Sequence, residues 1–247
     1  MKRITFIAWI LGFCFALQPL FAKDMPSISF SVGAIGAEKT LSQSSTLGDS
    51  TTDYGTVTVP YSKTTFNPAV QLALSVPFTN VTETMFFGTK IGYAFSWQGE
   101  YVGESSLSDT EMSTRNFTHI LSVLPELTYT RDNFRFTVGS GVAVAISAAE
   151  YVEKYRGTTY SGELTQSGNI YQFIWMSDLE AKYYLSNHVA LFANLSLGVS
   201  FYTMQRDLKY TMRIDGATYA SENGSDVSVD GESPLFFYPH IGICYTF

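Results

Sequence analysis

Apolar and polar residues alternate with a period of two over long runs of this chain, the signature of a strand with two unlike faces. In residues 65–76, Phe66, Pro68, Val70, Leu72, Leu74 and Val76 share one face, and Thr65, Asn67, Ala69, Gln71, Ala73 and Ser75 share the other. Residues 189–203 repeat the pattern. There Val189, Leu191, Ala193, Leu195, Leu197, Val199 and Phe201 alternate with Ala190, Phe192, Asn194, Ser196, Gly198, Ser200 and Tyr202. Eight such segments are predicted as strands: 27–37, 64–76, 84–98, 114–129, 134–148, 169–185, 189–204 and 234–247. Each is long enough to cross a membrane as a tilted strand, which takes about 9–11 residues.

The connections alternate in length. Residues 38–63, 99–113, 149–168 and 205–233 are long and rich in Ser, Thr, Gly, Asp and Glu, whereas 77–83, 130–133 and 186–188 are short. Outer-membrane barrels have short periplasmic turns and long extracellular loops. An even strand number then puts both termini in the periplasm and the four long segments outside. Tyr210 to Ile214 and Thr56 to Tyr61 are β-prone and would extend the hairpins above the membrane.

A secreted soluble sandwich would alternate too, but its second face would be solvated and rich in Lys, Glu and Asp. Here that face is Ser, Thr, Gly, Ala, Asn and Gln, residues that suit the nearly filled lumen of an eight-stranded barrel. Strand ends on the opposite face carry Phe95, Trp97, Phe134, Phe136, Tyr171, Phe173, Trp175, Tyr183, Phe201 and Tyr245. They form the aromatic girdle that a membrane interface favours. The predicted fold is all-β, an eight-stranded antiparallel up-and-down transmembrane β-barrel.

The N-terminus fits export. Lys2 and Arg3 precede an apolar run from Ile4 to Leu17, then Gln18-Pro19-Leu20-Phe21-Ala22. This is the order of a secretory signal, so residues 1–22 are read as a signal peptide and 23–247 as one barrel domain. Losing Lys2 and Arg3 takes the formal charge from −7 to −9, which disfavours nucleic acid as a partner. Cys244 is then the single cysteine, so no internal disulfide can form. Without a CxxC, a Cys/His cluster or HExxH, no metal site and no cofactor is expected.

The last strand runs from Leu235 to Phe247 and closes the chain on Phe, with Tyr245, Ile243 and Ile241 on the same face. It resembles the C-terminal signature of bacterial outer-membrane barrels. Tyr245 and Phe247 would be the signal read by the outer-membrane assembly machinery. With the signal peptide and eight strands, the whole mature chain resembles the small-barrel class of OmpA, OmpX and OmpW. Size and long loops lean toward OmpW and OprG-like proteins. That resemblance implies passage of small hydrophobic molecules that leave sideways into the bilayer.

Strand phase turns six charges inward: Lys90, Glu126, Arg135, Asp178, Glu180 and Lys182. All sit toward the short turns, and Glu126 and Arg135 are placed as a diagonal cross-strand pair. Buried charges must be paired. The set therefore reads as an internal salt-bridge plug, or else as a gate. Nearer the long loops, Ile35, Ala69, Ala94, Ile120, Ala143, Ala145, Ile174, Met176, Tyr202, Met204, Phe236 and Tyr238 point inward by phase and form an apolar cup. It reads either as ordinary filling or as a pocket for a small hydrophobic solute. Proline lacks the ladder N–H, and Pro68, nearest the cup, is the candidate lateral opening; a bulge is the alternative reading.

Catalysis is not expected. His119 faces lipid, His188 lies in a turn and His240 points inward, none with a sequence-local Ser or acid in phase. Residues 38–63, 99–115, 149–168 and 205–233 hold 16 Asp and Glu against 8 Lys and Arg. They suit a solvated surface, divalent bridging to neighbouring headgroups, or contact with a host or phage protein. The leading expectation is passage of small hydrophobic molecules across the outer membrane. The alternative is a non-transporting surface protein acting through its loops in adhesion or envelope stability. Expected partners are membrane lipid, the assembly machinery, and hydrophobic solutes or host proteins at the loops.

Overall fold

The computed structural model describes residues 25–49, 52–104, 110–156, 161–215, 217–223, 227–228 and 235–247. The segment read as a signal peptide lies outside the described residues. Among the described residues ten strands follow in chain order. They are β1 (Ser27–Asp49), β2 (Thr52–Asn80), β3 (Met85–Glu104), β4 (Thr110–Arg131), β5 (Phe134–Arg156), β6 (Ser161–Tyr184), β7 (Val189–Ile214), β8 (Ala217–Asn223), β9 (Val227–Ser228) and β10 (Leu235–Thr246). Each of β1 to β7 pairs antiparallel with the next, and β10 pairs with both β7 and β1. Eight strands therefore close into a ring, while β8 and β9 add to β7 beyond it.

Closure leaves no open edge at membrane depth, which an apolar solvent demands of any sheet. The two faces differ as their alternation predicts. On β1 the inward residues are Ser27, Ser29 and Ser31, all buried, while Phe30 and Val32 face out. Leu72, Val138, Trp175, Leu179, Leu191, Ile241 and Ile243 are exposed along the wall. An apolar outside around a polar inside is the arrangement of a membrane-spanning barrel.

The strands run well past the predicted ends. β2 and β7 take in residues 56–61 and 210–214, and β1 pairs with β2 as far as Asp49 and Thr52. Backbone N–H and C=O groups need partners wherever the chain goes, and a ladder already started by the barrel supplies them residue by residue. Two of the short turns shrink, to 81–84 and 132–133, and the third lies at 185–188. Asp132 takes a left-handed conformation, φ 52°, at the tightest of them.

Two irregularities shape the wall. First, pairing between β2 and β3 begins only at Ala69 and Ser96, whereas β2 stays paired with β1 above that level. Second, β7 carries two bulges against β6. Phe173 faces Tyr202 but Ile174 faces Ser200, and Asn169 faces Arg206 but Ser167 faces Lys209. Asp207, at the second bulge, has φ 55°.

The candidate functional site: a charged floor under a filled cup

Asp178, Glu180 and Lys182 alternate along β6, so a single strand turns all three into the lumen. Lys90 reaches them from β3. Its Nζ donates to Asp178 Oδ2 at 2.8 Å and to Glu180 Oε2 at 3.1 Å. Lys182 Nζ lies 2.8 Å from Glu180 Oε1. Glu126 on β4 is buried at the same end of the lumen. These five charges are almost wholly enclosed. Enclosure without pairing would cost several kcal/mol per ion.

Asn194 completes the floor and was not among the residues predicted for it. Its Nδ2 donates to Asp178 Oδ2 at 3.3 Å and Glu180 Oε2 at 3.5 Å. Phase alone placed Asn194 inward; only the register, which sets it opposite Glu180, brings it to the carboxylates. Asp178 Oδ1, Asn194 Oδ1, Ser196 Oγ and His240 Nε2 are buried here without a protein partner. Buried polar atoms of this kind are usually met by internal water.

Arg135 lies nearer the short turn than a diagonal partner of Glu126 would. The register puts Glu126 opposite Gly139 and Arg135 opposite Thr130. Arg135 is thus four residues from the position facing Glu126, not the two of a diagonal pair. Its guanidinium lies over the rings of Tyr184 at 4.7 Å and Phe86 at 5.6 Å. The predicted diagonal pairing is corrected accordingly: one further turn of the pleat separates the two residues.

Above the floor, Ile35, Ala69, Ala94, Ile120, Leu124, Ala143, Ala145, Ile174, Met176, Phe236 and Tyr238 pack into one apolar cluster. A cavity of about 10 Å³ remains beside Gln71, Ser122, Ser196 and Tyr238. Another of about 10 Å³ lies below the floor between Ser27, Glu126, Arg135 and Lys182. Each has room for roughly one water molecule.

Tyr202 is not in the cup, which corrects its predicted place. The bulge at Ser200–Tyr202 reverses the phase, so Tyr202 is 41 % exposed on the outer wall. Its ring lies 5.8 Å from that of Phe173. Pro68 sits where the β2–β3 ladder starts. Its carbonyl accepts a hydrogen bond from Ser96 Oγ at 3.1 Å. A strand residue's N and C=O point to the same side, so the missing donor of Pro68 faces β3.

The chain end is tied to the first strand: the Phe247 N–H donates to the Pro26 carbonyl at 3.1 Å. Tyr245 and Phe247 both face outward, ring centroids 5.6 Å apart. The three imidazoles have other partners than a serine or an acid. His119 Nδ1 meets Tyr93 Oη at 2.7 Å, His188 Nδ1 meets the Thr246 carbonyl at 2.9 Å, and His240 Nδ1 meets the Tyr238 carbonyl at 3.2 Å.

No family model matches the chain, and no curated protein matches it. Several solved structures are similar in fold. The outer membrane protease OmpT of Escherichia coli is 10 % identical with a TM-score of 0.47, over 92 % of this chain and 98 % of that one. A major outer membrane protein from Thermus thermophilus is 13 % identical with a TM-score of 0.48, over 90 % and 99 %. Ail, the attachment invasion locus protein of Yersinia pestis, is 9 % identical with a TM-score of 0.40, over 92 % and 100 %. The closed ring of eight antiparallel strands with an apolar outer wall makes this chain a transmembrane β-barrel, its lumen closed by an ionic floor and an apolar cluster.

Proposed function

We propose that this is an outer-membrane surface protein that carries no solute through its lumen. It acts through its extended hairpins, in adhesion or envelope stability, and performs no catalysis. One observation carries the reading: buried side chains fill the lumen at the ionic floor and at the apolar cluster, and the cavities beside them are water-sized. Such a barrel serves as a rigid anchor. Its termini lie in the periplasm and its long hairpins outside, where most of the acidic residues fall. The hairpins support this role because β1 and β2 stay paired to Asp49 and Thr52, far beyond what a membrane crossing of about 9–11 residues needs.

The test has two arms. Reconstituted protein should give neither ion conductance in planar bilayers nor uptake of small hydrophobic solutes into liposomes above the protein-free rate. Replacing residues 41–61 by Asn-Gly should leave the barrel folded while lowering attachment of expressing cells to host-cell surfaces. Solute uptake by the wild type, or full attachment by the shortened variant, would overturn the proposal.

A second reading, passage of small hydrophobic molecules, has one observation in its favour. The β2–β3 ladder begins at Ala69–Ser96, beside a proline whose absent donor faces the seam. A sideways path would run there, from cup to bilayer.

A further inference from the structure

We infer that the outer wall of the β3–β4 hairpin binds a metal-bearing tetrapyrrole, an amphiphilic planar ring such as an iron porphyrin, with His119 Nε2 as the axial ligand. The observation is a polar pair set into an apolar patch. Tyr93, Phe95 and Trp97 of β3 lie opposite Leu121, His119 and Phe117 of β4, and strand phase turns all six outward. His119 is exposed there, as are Tyr93, Trp97, Phe117 and Leu121. Its Nδ1 meets Tyr93 Oη at 2.7 Å. That contact fixes the ring. It leaves Nε2, at the far end of the ring from the backbone, without a partner among the described residues.

The surroundings decide what can meet that nitrogen. Acyl chains offer no hydrogen-bond donor, and a hydrated cation cannot shed its water there without a large penalty. One imidazole is also too few for a bare ion such as zinc, which takes three or four protein ligands. A tetrapyrrole removes both obstacles. Its four nitrogens already hold the metal, its ring is apolar, and a single proximal histidine completes the coordination. Donation from Nδ1–H to Tyr93 Oη puts the lone pair on Nε2, the way an outer partner orients a ligating histidine. The bond forms as Nε2 gives that pair to the metal and a labile axial water leaves; no electron is transferred. Because one axial ligand is enough, such a site leaves no CxxC or HExxH spacing in the sequence.

The depth suits an amphiphile of this shape. Trp97 and Phe117 form the row above Phe95 and His119, and tryptophan marks headgroup level. Two residues of strand at a tilt of about 40° place His119 roughly 5 Å beneath that row. The macrocycle then lies in the upper acyl layer, and its carboxylates reach the headgroup water. The bed is aromatic. The Phe95 ring lies 5.1 Å from that of His119, 6.0 Å from that of Trp97 and 6.4 Å from that of Phe117, the last two at interplanar angles of 22° and 13°. Ile146 of β5, opposite His119, continues the apolar surface on the other side. The site uses neither the lumen nor the long hairpins, so it stands or falls independently of the anchor reading.

The experiment uses the full mature chain refolded into phosphatidylcholine nanodiscs and titrated with haemin, beside empty nanodiscs and beside iron-free protoporphyrin. The wild type should take one haemin per barrel. It should show the shifted Soret band and the electron paramagnetic resonance signal of imidazole-ligated ferric iron, which empty discs do not give. His119→Phe keeps an aromatic side chain in place and should return both signals to those of empty discs. Tyr93→Phe removes the orienting hydroxyl and should weaken binding about tenfold, the lower end for an outer partner of a ligating histidine. His188→Ala, at the periplasmic rim, should bind as wild type. Heat-modifiable mobility checks that each variant is folded, and the wild-type arms decide the matter even where a variant is not. Identical haemin spectra from protein and empty discs would overturn the inference. So would imidazole-ligated signals surviving in His119→Phe, or iron-free protoporphyrin binding as tightly as haemin, which would mean an apolar surface without coordination.

Discussion

Lys90 Nζ and Asp178 Oδ2 lie 2.8 Å apart, joining β3 to β6 across the lumen, 88 residues apart in the chain. Both side chains are almost fully shielded from solvent. The pair closes the lower barrel, and its strength depends on water being kept away.

Removing one member leaves a buried charge without its partner. Lys90→Met should therefore destabilise the barrel by about 3–5 kcal/mol. Lys90→Met with Asp178→Leu should recover part of that loss. A double-mutant cycle from reversible urea unfolding in lipid vesicles measures it. Strict additivity would show that the two residues do not interact in the membrane.

The cup holds a cavity of about 10 Å³, room for roughly one water molecule. Ala69 and Ala143 are both buried in the apolar cluster, so Ala69→Phe and Ala143→Trp should overpack it and cost about 1–3 kcal/mol each. The check is the same unfolding assay. A variant as stable as wild type would mean that the cup holds more space than the packing allows, and would favour the passage reading.

Passage itself has a separate test. Pro68→Ala supplies a backbone donor facing β3 at the seam. If hydrophobic solutes cross there, this variant should reduce uptake while inserting normally. Uptake unchanged from a transporting wild type would remove the seam from consideration.

Assembly is expected to depend on the last residue. The Phe247 N–H holds Pro26, and its ring packs against Tyr245 on the outer wall. Deleting Phe247 should lower the yield of inserted protein, scored as the heat-modifiable folded form in membrane fractions. Wild-type yield under native expression would count against Tyr245 and Phe247 as the assembly signal.

Orientation can be read by labelling. In a Cys244→Ser background, single cysteines at Ser106, Thr158 and Ser225 should react with impermeant maleimide on intact cells. These three positions lie outside the described residues. Cysteines at Asn80 and Asn187, by the short turns, should be protected. The reverse pattern would invert the topology.

Fold class, the number of barrel strands and the face each strand presents were all legible in the order of residues. The reason is that a strand's side chains alternate strictly, so an apolar wall and a small polar lumen are written directly along the chain. Phase was therefore enough to place Lys90, Glu126, Asp178, Glu180 and Lys182 inside. Partners were not legible, because they depend on the register between strands distant in sequence. That is why Asn194 was missed as a member of the floor, and why Arg135 proved to lie over Tyr184 and Phe86. Tyr202 shows the other limit. A bulge inserts one residue and reverses every side chain beyond it, and the hydrogen bonding to the neighbouring strand decides where that happens. Whether the upper lumen has room for a ligand or only for its own side chains was likewise left to the tertiary structure, since volume is set by how eight strands close and not by any one of them.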